Sequence, residues 1–368
     1  MLNDEGMRVM FSMSVGFIPL TDAAPLVVAQ HLGIFTRYGL DVRLEKQNSW
    51  ATLRDKLQAG LLNAAELLAP MPLASTLGLA SKKTPMIVPL VLSQNGNAFT
   101  VSKRLHYDLL TCHRLSELPF PLPAKALAEV VKMRKENSLQ KLRFATVFPY
   151  SCHQYQLLDW LGSEKIVDDV ELLVIPPSNM AESLENGSID GFCVGGPWNA
   201  KAVRNNVGVS LFSSYDIWQD KPEKVLGVSD SFYQQYPNEI IALGAALLDA
   251  CEWLQHLPNR FEAARWLSHV DYLNEPVEVI APSLIGSCLR SETQDPVYIP
   301  HYNRFSGDEA MANCPTTESA KFLADKMLNA GQLTSLSVEQ IEQAQKSTFR
   351  PDIFTQIQAF RNNRKAQL

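Results

Sequence analysis

The chain has 368 residues, of which 46% are hydrophobic and 20% charged, and its formal net charge is −6. That length can hold two domains and a large core, and the balance is that of an ordinary soluble globular protein. The negative charge argues against a nucleic-acid binder, which usually presents a basic face.

A local basic cluster of Lys125, Lys132, Arg134, Lys135 and Lys141, interrupted by Glu129 and Glu136, reads as a solvated helix face. Met1-Leu2-Asn3-Asp4-Glu5-Gly6 is acidic, without a basic n-region, an apolar h-region or a cleavage site. The expectation is a cytoplasmic chain, or a periplasmic one if a leader has been trimmed. No stretch approaches the roughly 20 apolar residues that span a bilayer. Cys112, Cys152, Cys193, Cys251, Cys288 and Cys314 are widely spaced without a C-x-x-C pair, which predicts reduced, mostly buried thiols. Cys152 beside His153 reads as structural, since sequence neighbours do not make a nucleophile–base pair.

In chain order, residues 9–17 form a strand-length apolar run ending in a turn. Thr21 or Asp22 is placed to cap a helix with Pro25 in its first turn, and Gly33 ends that helix. Residues 40–44 alternate as a strand. The segment 63–68 is short and apolar, 70–79 reads as a helix, 86–92 as a buried strand and 99–102 as extended. A helix at 124–136 follows a Pro-rich break. Then come a strand at 143–148, a helix at 152–161, a strand at 171–176, a helix capped by Ser178, a strand at 189–194 and a helix opened by Pro197. This alternation predicts an α/β fold with mainly parallel strands. Helical spacing dominates later, at 239–254, 260–267 and 339–346. A strand running into a helix N-terminus leaves free N–H groups, a place for a small anion. There is no G-x-x-x-x-G-K-[ST] loop and no H-E-x-x-H motif.

Several strings are long and unusual. They are Gly16-Phe17-Ile18-Pro19-Leu20-Thr21-Asp22-Ala23-Ala24-Pro25, Ala69-Pro70-Met71-Pro72, Asn95-Gly96-Asn97, Pro197-Trp198-Asn199-Ala200, Pro222-Glu223-Lys224-Val225-Leu226-Gly227 and Phe349-Arg350-Pro351-Asp352. With them the chain resembles the nitrate-binding proteins of the periplasmic-binding-protein class (NrtA/NasS-like), and within that family the soluble nitrate sensors. The resemblance is dense from about 14 to 230 and thin from 260 to 345. It implies a two-lobed type II periplasmic-binding-protein fold with a ligand cleft between lobes. Residues 1–102 and 225–368 would form lobe one and 103–224 lobe two.

Nitrate is a planar monoanion and a weak acceptor, so a selective site needs one cation and several donors. Carried over by matching motif, the ligand residues implied are Trp50, Asn97, His153 and Lys224. The family pattern Gly-Glu-Pro-Trp is here Gly195-Gly196-Pro197-Trp198, and a family histidine is here Glu66. Glu66 and Gly196 are therefore expected beside the site, as two linked departures. Relatives that take bicarbonate with a metal carry an acidic residue near the position of Lys224, so no metal or cofactor is expected. The implied function is a nitrate or nitrite sensor that holds an RNA-binding antiterminator (NasT-like) when empty and releases it when the lobes close. The alternative is the binding component of an ABC permease for nitrate. The Cys-rich motif of thiamine-precursor synthases in this superfamily is missing, so no enzymatic activity is expected.

Overall fold

A computed structural model describes residues 10–79 and 81–366. Val9 of the expected first strand, and the hexapeptide on which the compartment was read, lie outside the described residues. The chain divides into two compact units. The first comprises the residues up to Gln94, Pro222–Asn274 and those from Arg304 onward; the second comprises Asn95–Lys221 and Glu275–Asn303.

The first unit is built on β1 (Phe11–Phe17), β2 (Leu40–Lys46), β3 (Ala64–Leu68) and β4 (Met86–Asn95). The second carries β5 (Asn97–Ser102), β6 (Leu142–Thr146), β7 (Val170–Val174), β8 (Gly191–Gly195) and β9 (Gly208–Ser213). The chain then returns on β10 (Pro222–Ser229), and three two-residue strands follow: β11 (Ser287–Cys288), β12 (Val297–Tyr298) and β13 (Asn303–Arg304). The two larger sheets have the orders β13-β4-β10-β3-β1-β2 and β7-β6-β8-β5-β9, and β11 pairs with β12 in a small separate sheet.

Both sheets are mixed rather than mainly parallel. β1 runs parallel to β2 and β3, and β6 parallel to β7 and β8. β10 runs antiparallel to both β3 and β4, and β5 antiparallel to both β8 and β9. The reason is the route of the chain. It leaves the first unit at the end of β4 and returns at the start of β10, where Pro222 pairs with Gln94. A strand that enters beside the exit of its neighbour must run the opposite way. The divisions accordingly fall at 94/95 and 221/222, not after 102 and 224. Glu275–Asn303, which the sequence reading leaves in lobe one, belongs to the second unit.

Most helices form where the periodicity puts them, including Ala124–Glu136, Cys152–Gly162 and Pro237–Trp253. Two caps differ. Thr21 and Asp22 lie in a 3₁₀ turn ahead of the helix Ala24–His31 and make no side-chain cap. Ser178 likewise lies in a 3₁₀ turn, and the helix Met180–Glu185 starts without a side-chain cap. The helix Trp50–Gln58 is capped as chemistry prefers, with the Ser49 hydroxyl accepting from the Thr52 N–H at 3.2 Å. Ser49→Ala is expected to cost about 1 kcal/mol of unfolding free energy in a denaturant titration; an unchanged midpoint would remove the cap from the account.

In the first unit the buried helix Pro237–Trp253 meets the helix Pro351–Lys365 closely. A Cβ on Gly244 would crowd the Ile357 side chain, which would have to shift to admit it. The second unit centres on Phe99, whose ring lies 5.2 Å from Phe144, 5.2 Å from Phe212 and 5.4 Å from Trp160. The basic residues around 125–141 are an occupied surface: Lys135 pairs with Asp169 and Lys132 lies near Glu136. No single described helix is long and apolar enough to cross a membrane. All six cysteines are free thiols, four of them buried, Cys152 included.

Candidate anion-binding site

In the first unit, four separate elements place charged and polar side chains together. β10 brings Lys224 and Glu223, β3 brings Glu66, the turn Thr21–Ala23 brings Asp22, and Trp50 is the first residue of its helix. Every one of these side chains is at most 1% exposed. The Lys224 Nζ lies 2.6 Å from Asp22 Oδ2 and 3.1 Å from Glu223 Oε1, and 5.6 Å from the centre of the Trp50 ring. Consecutive strand residues normally point to opposite faces. Here the register of β10 against β4 slips on both sides of Lys224, and this bulge lets Lys224 and Glu223 meet. Against β3 the register is regular: Lys224 pairs with Leu68 and Leu226 with Glu66. Lys224 is thus the diagonal neighbour of Glu66 on one sheet face.

One ammonium faces three carboxylates. Burial pulls the Lys224 ammonium toward neutrality, but Asp22, Glu223 and Glu66 together outweigh it and hold the proton more tightly than in water. Glu66 goes the other way. Burial, then the Asp22 charge, push its carboxyl well above the usual range, and Lys224 offsets only part of that. A carboxyl raised in the fold stabilises fully below its unfolded pKa, and that stability is lost as pH rises through the folded value. Glu66→Gln is therefore expected to raise the melting temperature at neutral pH, with the gain vanishing near pH 4. An equal gain at both pH values would refute the raised carboxyl.

Neither carboxylate oxygen of Glu66 has a hydrogen-bond partner within the protein, nor does the Trp50 indole N–H. Buried polar groups are rarely left so. Unmatched donors and acceptors at a buried cation are what a small polar ligand would complete.

The second unit holds Asn97, His153 and Gly196. His153 is fully buried at the second position of the helix Cys152–Gly162, capped by Ser151, which puts its ring at the positive end of the helix. One turn on, Gln156 accepts from the Asn97 amide at 3.0 Å, so Asn97 and His153 share that helix face. The Asn97 N–H donates to Ser214 Oγ, and Asn97 pairs with Gly195 across β5 and β8. Gly196 follows, its N–H bonded to the Gly96 carbonyl, and the Gly196–Pro197 bond is cis. The Trp198 indole N–H is buried without a partner, and Asn199 donates to the Ala98 carbonyl and Thr100 Oγ1, each at 2.9 Å.

The structure therefore brings Trp50, Lys224 and Glu66 together in one unit, and Asn97, His153 and Gly196 in the other. Sequence reasoning missed Asp22, which it read as a helix cap, and Glu223, although the adjacent acid–base pair was visible. It also missed Gln156, one helical turn after His153. For a metal, the described residues offer Cys112, His113 and Glu129 on two helices of the second unit. The His113 ring there lies 2.8 Å from the Ala126 carbonyl.

The fold is that of the periplasmic-binding-protein class. The chain aligns with the crystal structure of the periplasmic nitrate-binding protein NrtA from Synechocystis PCC 6803, with a TM-score of 0.84 and 26% identity over 95% of this chain and 89% of that one. The sequence profile of the NMT1-like family matches residues 10–268, and the chain belongs to that family.

Among curated proteins, it is 34% identical over 349 residues to the nitrate import ATP-binding protein NrtC of Synechocystis sp. strain PCC 6803, covering 93% of this chain and 49% of that protein. It is 34% identical over 300 residues to the bicarbonate transport ATP-binding protein CmpC of Synechococcus elongatus, covering 80% of this chain and 42% of that protein. The chain thus spans about half the length, or less, of these two relatives.

Proposed function

We propose that this chain is a receptor for a small monovalent oxyanion, nitrate or nitrite, and that it acts as a cytoplasmic sensor. The observation that carries the first part is the buried Lys224 ammonium beside the unpartnered Trp50 indole N–H, in a chain that aligns over nearly its whole length with the nitrate-binding protein NrtA. The cation offsets the cost of burying an anion, and the indole supplies both a donor and an apolar wall. For Asn97 and His153, in the second unit, a donor role is proposed on the residue resemblance alone. A non-enzymatic role fits the kinship with binding proteins.

Trp50→Phe tests the site with little disturbance, because it deletes a donor that has no partner within the fold. A hydrogen bond to a charged group contributes about 1.5–3 kcal/mol, so nitrate affinity is expected to fall about 10- to 100-fold. The thermal midpoint should stay unchanged. Unaltered nitrate binding in Trp50→Phe would take Trp50 out of the site.

The sensor role rests on the sequence resemblance. In it, the protein holds an RNA-binding antiterminator partner without ligand and releases it with ligand, which requires only that ligand and partner favour different conformations. Co-purification with such a partner that is lost on adding nitrate is the expected result. A second reading is the binding component of an ABC importer, favoured by the relatives named for nitrate import and bicarbonate transport. Retention on the permease, with no binding to an antiterminator at any nitrate concentration, would decide for it.

A further inference from the structure

Glu66 is the feature of this site that an anion receptor does not need. It is a fully buried carboxyl, without a hydrogen-bond partner, diagonal to the cation that would hold the ligand. The charged groups that face it are Asp22 from the turn before the first long helix and Lys224 from β10, with Glu223 on the same lysine. Lys224 already faces Asp22 and Glu223, so an ionised Glu66 beside a proton-free anion adds a buried charge with no hydrogen bond to offset it.

Nitrate carries no proton, and its three oxygens only accept. An ionised carboxylate can only accept as well, so the two repel in charge and mismatch in hydrogen bonding. A protonated Glu66 has an O–H to donate. Hydrogen carbonate, also planar and monovalent, brings its own O–H and can donate to an ionised carboxylate. A site with a buried acceptor for a ligand O–H rejects the analogue that lacks it, because the acceptor is then left unpaired.

Resting on the anion-receptor reading above, we propose that Glu66 is a proton-dependent selectivity residue. It takes a proton from solvent to bind a proton-free oxyanion such as nitrate, and it accepts from the hydroxyl of a protonated oxyanion such as hydrogen carbonate when ionised. The site thereby reads the protonation of its ligand, and nitrate binding is linked to proton uptake. The raised affinity of Glu66 for its proton agrees with this geometry.

The experiment is calorimetric titration of the intact protein and Glu66→Gln with sodium nitrate at pH 5.5 and 8.5, in buffers of different ionisation heat, with hydrogen carbonate at pH 8.5 alongside. Wild type is expected to bind nitrate at least 10-fold more weakly at pH 8.5, with net proton uptake. Glu66→Gln keeps a donor that cannot ionise. It should hold nitrate within about 2-fold across that range without proton uptake, and bind hydrogen carbonate more weakly, because its neutral amide carbonyl is a poorer acceptor than a carboxylate. Wild-type nitrate affinity that is flat with pH and free of proton exchange overturns the proposal while leaving the receptor reading intact. The same slope persisting in Glu66→Gln assigns it to another group and also overturns it. No binding of either anion by folded wild type at either pH removes the receptor reading itself, and this proposal with it.

Discussion

Lys224→Met is expected to lower the unfolding free energy by about 3–5 kcal/mol, the scale for removing one partner of a buried ion pair. The methionine fills most of the lysine's volume, so the loss is electrostatic rather than a cavity. Asp22 and Glu223 would keep their burial and lose the ammonium at 2.6 and 3.1 Å. The cluster gives this prediction an internal check. Asp22→Asn added to Lys224→Met removes one of the stranded charges, so the double variant should be more stable than the sum of the single effects allows. The measurement is the denaturant midpoint at constant slope, which separates stability from changes in the unfolded state. A loss below about 1 kcal/mol, or strict additivity, would mean that the four groups are not an electrostatic unit.

Phe99→Ala should be as costly, about 3–5 kcal/mol, for a different reason. Phe99 has no exposed surface, and its ring touches Phe144 edge-on, Phe212 face-on and Trp160 at a tilt. Rings at these separations interact beyond their buried area, and three anchored neighbours cannot all collapse into the gap. It also sits on β5, which lies between β8 and β9 and antiparallel to both, so the cavity opens inside the second sheet. Phe99→Leu should lose clearly less. Equal losses for the two variants would show that ring volume is not what holds this core.

Much of the fold was legible because local patterns agree with the final environment. Ala124–Glu136 repeats apolar residues at helical spacing and buries that stripe. β2 alternates because only one side of its first half is buried. What stayed hidden depended on pairing at long range. β10 begins with Pro222, Glu223 and Lys224, a stretch for which the sequence pattern predicts no element. Only the neighbouring β3 and β4 turn that stretch into a buried central strand. The same gap hid the mixed sheet direction and the return of Glu275–Asn303 to the second unit. The candidate residues Trp50, Asn97, His153 and Lys224 came from motif resemblance, since a single tryptophan or lysine carries no signal of its own. Asp22 was masked by its plausibility as a cap. Its carboxylate is engaged by Lys224, a partner about two hundred residues away in sequence. Glu66 was visible as a departure from the family pattern, but its lack of a partner is a property of the folded chain.

The most direct test of the receptor reading is a calorimetric titration of the folded wild-type protein at fixed pH with nitrate, nitrite and hydrogen carbonate in turn. Saturable one-site binding of at least one of these anions is expected, with competition between any two that bind. Flat heats with all three, from protein that still unfolds cooperatively and carries no co-purified ligand, would contradict it. The buried Lys224 cluster would then be a structural charge network in a binding-protein fold with a different ligand.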